Sequence, residues 1–147
     1  MKRIFFFNAD IQARIENKYW IRILIQNLFK AEHTKFEKIN YVLCTDHYLL
    51  QLNKKYLNHE TLTDVITFPL SEIGEPMIAE IYISMERVKE NAKKFKVQYQ
   101  TELLRVMIHG ALHLCGYADK KAFEREKMRQ KEDNYLKKFK VPREAYN

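Results

Sequence analysis

Apolar positions along the chain follow two rhythms, and the switches between them mark out the elements. Residues 4–7 are a short β-branched and aromatic run, which predicts a first strand. The spacing then changes to threes and fours, through Ile11, Ile15 and Tyr19 and on through Ile21, Leu24, Ile25 and Leu28. That rhythm predicts a helix over about 11–31, with Asp10 as its N-cap. Residues 38–44 alternate enough for a second strand, and Asp46 suits the N-cap of a helix through about residue 56. The run DVITFPL at 64–70 reads as a strand closed by Pro69, followed through a turn at 71–75 by another strand at 76–84. Ser84 can cap a helix to about residue 96. Two more helices are expected, over about 100–115 with a stop at Gly116, and over about 121–140 with a stop before Pro142. Strands alternating with helices, plus one strand-loop-strand unit, predict an α+β fold: a small mixed sheet of about four strands flanked by about five helices.

Composition narrows this picture. A chain of 147 residues fits one domain over 1–147, and with only three glycines and three prolines long flexible linkers are not expected. No stretch approaches the roughly 18 apolar residues of a membrane span, and the run at 4–7 is too short for a signal core. A soluble, cytoplasmic protein without a membrane partner is therefore expected. Cys44 and Cys115 are too few for a disulfide framework, and neither belongs to a C-x-x-C motif. The net charge of +7 is uneven: from Lys120 onward ten Lys or Arg face five Asp or Glu, and over 85–105 six face three. Such asymmetry favours an anionic partner, of which nucleic acid is the commonest, although a solvated helix face can carry the same charge.

The chemistry concentrates in residues 107–119. His109 and His113 are four residues apart on an expected helix, so both imidazoles fall on one face and can reach one ion. Gly116 can end the helix in the left-handed conformation and reverse the chain. Asp119 follows three residues later, and three extended residues reach about 10 Å, enough to return a carboxylate to the imidazoles. The pattern H-x3-H-x5-D offers three ligands to one divalent ion at the end of a core helix. Three protein ligands and an open fourth position are the mark of a catalytic rather than a structural zinc site. Zinc is the first choice for this donor set; manganese and nickel also match it. Two histidines at this spacing also occur by accident, and the glycine stop with its returning acid is what favours the metal. Cys115, about 200° around the helix from His113, joins the core stripe of Leu104, Ile108 and Ala111 and is not expected to be a ligand. His33 and His47 stand alone and read as surface residues. Gly110 occupies the position at which H-E-x-x-H peptidases carry their general base.

These residues resemble a known family. His109-Gly110-x-Leu112-His113-Leu114-x-Gly116-Tyr117, with Asp119 after it, is similar to the H-G-x-L-H-L-x-G-Y-D-H signature of the YbeY family of metal-dependent endoribonucleases. Leu52-Asn53-x-x-Tyr56, the block at 63–69 and the strand at 79–84 resemble the family's L-N-x-x-Y-R, T-D-V-L-S-F-P and G-D-I-x-I-S blocks in order. The resemblance implies a small mixed sheet with flanking helices and one zinc-like ion. It also implies cleavage of single-stranded RNA, with ribosomal RNA and the small ribosomal subunit as partners in rRNA maturation and ribosome quality control.

Two departures stand out. Asp119 replaces the family's third histidine, which leaves a bound ion less positive and its water less acidic. Asp119→His is therefore expected to move the pH–rate profile to lower pH; superimposable profiles for parent and variant would refute this. Leu57 replaces the arginine that is thought to act on substrate. Arg105, one turn before His109 on the same face, and His59, near the altered block, are candidate substitutes, Arg105 as a bidentate phosphate holder. A surface pair of Arg105 with Glu102 is the alternative reading. Thr63 and Asp64 match the family block, and a turn into a strand is the favoured account of them. Two rival functions are a metallopeptidase, against which Gly110 counts, and an RNA- or ribosome-binding module with a structural metal.

Overall fold

Strand β2 (Phe36–Cys44) is the axis of the sheet because its apolar residues serve both faces. The computed structural model describes residues 3–57 and 63–142. Strand β1 (Arg3–Asn8) pairs parallel with β2, aligning Ile4 with Ile39. On the other side β4 (Met77–Ser84) also runs parallel, aligning Ile81 with Tyr41 and Ile83 with Leu43. Strand β3 (Val65–Pro69) closes the edge antiparallel to β4, giving the order β1-β2-β4-β3 and the mixed four-stranded sheet expected from sequence. Pro69, which has no N–H to give to a ladder, lies on this edge strand.

Among the described residues five helices flank the sheet: α1 (Lys18–Ala31), α2 (Asp46–Leu57), α3 (Met85–Phe95), α4 (Tyr99–Leu114) and α5 (Ala122–Lys138). One face of the sheet carries the main core. There Ile25 and Leu28 of α1, Ile39, Tyr41 and Leu43 of β2, Ile81 and Ile83 of β4, and Met107 and Ile108 of α4 are all fully buried. The opposite face carries a smaller cluster, Cys44, Leu49 and Ile66, with Tyr48, Leu52, Phe68 and Tyr82 at its margin. Helix α4 is apolar on nearly every side because it is covered by α1, α3, α5 and the sheet. At Gly110 it approaches β4 so closely that an added Cβ would stand 2.8 Å from Ile81 Cγ2. The Tyr41 hydroxyl donates to the Met107 carbonyl at 2.8 Å and fixes the helix on the sheet.

The helix starts differ from expectation in two places. Helix α1 begins at Lys18, not near residue 11, after Asn17 in a left-handed conformation (φ 61°). Ile11, Ala13 and Ile15 still pack on the core, but at the i, i+2 spacing of an irregular segment, which a four-residue rhythm imitates. Asp10 caps no helix there. Its carboxylate instead accepts from the Thr45 N–H at 3.0 Å and the Thr45 hydroxyl at 2.5 Å. Thr45 is in turn the cap of α2, accepting from the Tyr48 N–H at 3.2 Å, while Asp46 opens the helix and binds the Ser84 hydroxyl and Arg87 Nε. Ser84 caps α3 as expected, accepting from the Arg87 N–H at 3.3 Å.

Candidate metal centre

The last two turns of α4 present His109 and His113 on the side facing away from the sheet. Gly116 (φ 100°) then ends the helix: its N–H donates to the His113 carbonyl at 3.0 Å and the Tyr117 N–H to the Leu112 carbonyl at 3.1 Å. This pair of bonds is a Schellman turn, with the glycine in the position that needs no Cβ. The chain reverses and Asp119 returns to the two rings. His109 Nε2 and His113 Nε2 are 2.9 Å apart, and Asp119 Oδ2 lies 3.2 and 3.3 Å from them. Ligands about 2.0–2.1 Å from a tetrahedral zinc are separated by about 3.3–3.4 Å, so the three atoms form one face of such a polyhedron. Among the described residues this is the one group of three His, Cys, Asp or Glu side chains close enough to hold an ion.

The outward nitrogens show why these rings fit a cation. His113 Nδ1 lies 2.8 Å from the Tyr117 carbonyl oxygen, which can only accept, so the hydrogen-bond network places the proton on Nδ1. His109 Nδ1 lies 2.6 Å from Glu132 Oε2, which fixes the same tautomer. In these tautomers the two Nε2 atoms, each without a proton, direct lone pairs at one another across 2.9 Å. Two lone pairs at that distance repel unless a proton or a metal ion lies between them. A carboxylate and a backbone carbonyl behind two imidazoles are the usual outer supports of a metal-binding histidine.

Glu132, on α5, is the centre of the supporting network. Its Oε1 accepts from Arg105 at 2.9 Å while Asp133 takes the other arm of the guanidinium at 2.7 Å. Burial disfavours the charged form of His109, but the bond and charge of Glu132, with Asp64 and Asp119, outweigh it and raise the His109 pKa. Behind His113 a second carboxylate organises the turn. Glu32, at the end of α1, accepts from the Tyr117 hydroxyl at 2.6 Å, from Lys131 Nζ at 3.1 Å and from the Tyr135 hydroxyl. Burial opposes ionisation of Glu32, yet these donors prevail and its pKa is lowered. A lowered carboxylate pKa contributes stability that is present above the unfolded-state value and lost as pH falls through the folded-state value. Urea unfolding from pH 7 down to pH 3 is therefore expected to show a smaller acid-side loss of stability for Glu32→Gln than for the parent; parallel curves would contradict this.

A cleft of about 290 Å³ opens on the site and is lined by Asp64, Phe95, Arg125 and Arg129 as well as His109 and Asp119. Burial raises the Asp64 pKa against the opposing charge of His109, so this carboxyl belongs to the site's electrostatics as well as to the turn into β3. Arg105 also lines the cleft, but Glu132 and Asp133 engage its guanidinium, and Glu102 is buried beside it rather than paired on the surface. His59 lies outside the described residues. His33 and His47 are exposed, and Cys115 turns toward Thr34 and the edge of the core, away from the ligand set. Sequence reasoning missed Glu132 and Glu32. The one available signal for Glu132 is an acidic pair in an otherwise basic segment, and Glu32 gives none.

Comparison with known proteins gives this geometry a lineage. A model of the family described as Endoribonuclease YbeY matches residues 6–140. The Endoribonuclease YbeY of Flavobacterium psychrophilum is 49% identical over 139 residues, covering 93% of this chain and 96% of that protein. The Endoribonuclease YbeY of Amoebophilus asiaticus is 44% identical over 133 residues, covering 90% of each chain. The solution structure of TM1509 from Thermotoga maritima superposes with a TM-score of 0.62 at 27% identity, covering 93% of this chain and 89% of that one. A match across nearly the whole fold, with the paired imidazoles and returning carboxylate inside it, places the chain in the endoribonuclease YbeY family.

Proposed function

We propose that this chain is a zinc-dependent, single-strand-specific endoribonuclease. We further propose that it acts in the cytoplasm on ribosomal RNA and the small ribosomal subunit, in rRNA maturation and ribosome quality control, as one hydrolase domain over 1–147. The observation that carries the catalytic reading is the convergence of two Nε2 lone pairs and the Asp119 carboxylate on one open-sided point. His109, His113 and Asp119 would hold the ion. When bound there, such an ion supplies Lewis-acid polarisation of a phosphoryl oxygen and a nucleophile at neutral pH.

The chain's own residues supply the rest. Glu132 and the Tyr117 carbonyl hold the Nδ1 protons of the two imidazoles and so keep both rings turned inward. Asp64, a half-buried carboxyl in the cleft whose pKa is raised by desolvation, is suited to taking a proton from the attacking water. Arg125 and Arg129, one helical turn apart on the cleft wall, are suited to phosphate oxygens. Arg105 supports the site through Glu132, which accounts for it better than a phosphate clamp does, and His59 is the other candidate for substrate contact near Leu57. The crowding at Gly110 weighs against a peptidase, because the position of that mechanism's base faces Ile81 of the sheet.

A chelated sample of the full chain is expected to lose cleavage of a single-stranded RNA oligonucleotide and regain it with zinc, while a duplex of the same sequence resists. Affinity should fall steeply with salt, as it does when basic side chains displace phosphate counterions. Cleavage of unstructured protein but not RNA would overturn the reading in favour of a peptidase. RNA binding without cleavage at any metal loading would overturn it in favour of a binding module.

A further inference from the structure

The loop that delivers Asp119 borders two cavities. Asp119 lines the cleft over His109, whereas Gly116, Tyr117 and Ala118 line a second cavity of about 410 Å³ together with Phe123 and Lys127. Helix α5 forms a wall of both. Its buried stripe is Met128, Glu132 and Tyr135. At 100° per residue, Arg125 and Arg129 flank that stripe on one side, and Lys127 and Lys131 flank it on the other. Phe123 lies one turn before Lys127 and is 68% exposed, a large ring in water that the core does not use. Lys121 Nζ stands 5.9 Å from its centroid, and Lys127 and Lys131 stand 5.6 and 5.3 Å from that of Tyr117.

The segment around the cavity is predominantly basic. Between Lys120 and Lys131 six basic residues face two acidic ones. The carboxylates in the cavity wall are engaged: Glu32 by Tyr117, Tyr135 and Lys131, and Glu124 by the Lys121 N–H at 2.8 Å. With those carboxylates engaged, the cavity offers an exposed aromatic ring with Lys127 in its wall and Lys121 at its margin, and it ends one residue from a candidate metal ligand. A ligand complementary to it has a planar ring and a phosphate close together. An aromatic platform in a cationic groove is how single-stranded nucleic acid is held without reading its sequence.

We propose that this second cavity is a nucleotide subsite, in which a base of single-stranded RNA next to the cleaved bond stacks on Phe123 and its phosphate meets Lys127. The inference rests on the RNA-cleaving reading above and adds a site to it. A duplex cannot present an unstacked base to Phe123, so the subsite also favours single strands.

The test uses full-length, metal-loaded protein and a labelled ten-nucleotide single-stranded RNA. Phe123→Ala and Lys127→Glu are each expected to raise KM about tenfold with kcat within about twofold, the pattern of lost uniform binding. Both side chains are solvent-facing, so thermal midpoints should match the parent. Phe123→Trp should keep the parent KM, and its emission should be quenched on addition of the same RNA in the presence of a chelator. Parental KM values for Phe123→Ala and Lys127→Glu would overturn the subsite while leaving the nuclease reading intact. If the parent cleaves no RNA but Phe123→Trp is still quenched, the subsite stands and the nuclease reading falls; with neither cleavage nor quenching, both fall.

Discussion

His113→Ala is expected to give a folded protein that retains no stoichiometric metal and cleaves RNA at background. The substitution removes one of three converging donors, and two remaining ligands leave half of a tetrahedral ion to water. Loss of an outer support alone lowers metal affinity by roughly 10–100-fold, so loss of a ligand should exceed that. The fold should survive for two reasons. The His113 side chain is about one-quarter exposed on the outer face of α4, and its one hydrogen bond to backbone is worth only about 0.5–1.5 kcal/mol. Alanine also returns part of this as helix propensity, and it removes one of two lone pairs that oppose each other when no cation separates them. Metal content by mass spectrometry, circular dichroism and oligonucleotide cleavage on the same preparation decide the matter. A variant as metal-replete and as active as the parent would mean that the centre lies elsewhere.

The second large effect is expected at Glu132, through geometry rather than charge alone. Its two oxygens face two donors, Arg105 on Oε1 and His109 Nδ1 on Oε2. A glutamine keeps one acceptor and turns an NH₂ group toward the other donor, so the isosteric replacement creates a donor–donor conflict. Glu132→Gln should therefore weaken metal binding about as much as Glu132→Ala, by roughly 10–100-fold. Arg105→Ala should do less, because it removes a brace on Glu132 and leaves the bond to His109. Competition against a chromophoric chelator measures all three. Parental affinity in Glu132→Gln would show that the carboxylate does not hold the ring.

The candidate ligand triplet is legible in the amino-acid sequence and its supports are not, and the reason is distance along the chain. His109, His113 and Asp119 belong to one helix, one glycine stop and one short return, so local rules fix their relative positions. Glu132 reaches His109 across 23 residues and Glu32 reaches Tyr117 across 85, and both contacts exist only once α1, α4 and α5 have packed. The mixed sheet is legible because its strands are short, alternating and bounded by turn residues. The start of α1 is not, because an irregular segment that packs alternate residues on the core, Ile11, Ala13 and Ile15, shares every second position with a helical rhythm. At the start of α2 either Thr45 or Asp46 can cap, and the choice falls to Thr45 because Ser84 and Arg87 occupy the Asp46 carboxylate from another element.

Gly110 carries a consequence for how such a centre could change over evolutionary time. The residue after the first ligand is where a neighbouring class of metalloenzymes keeps its proton acceptor, and one base change in a glycine codon can specify glutamate. In this fold that route meets Ile81 Cγ2, 2.8 Å from where the first side-chain carbon would stand, so the isoleucine or the helix must shift to admit it. A drift toward peptide chemistry would first require this helix–sheet contact to give, and the turns that carry His109 and His113 rest on it. If the three side chains hold an ion, its neighbourhood is thus constrained from beneath, by atoms of the sheet that lie outside the cleft.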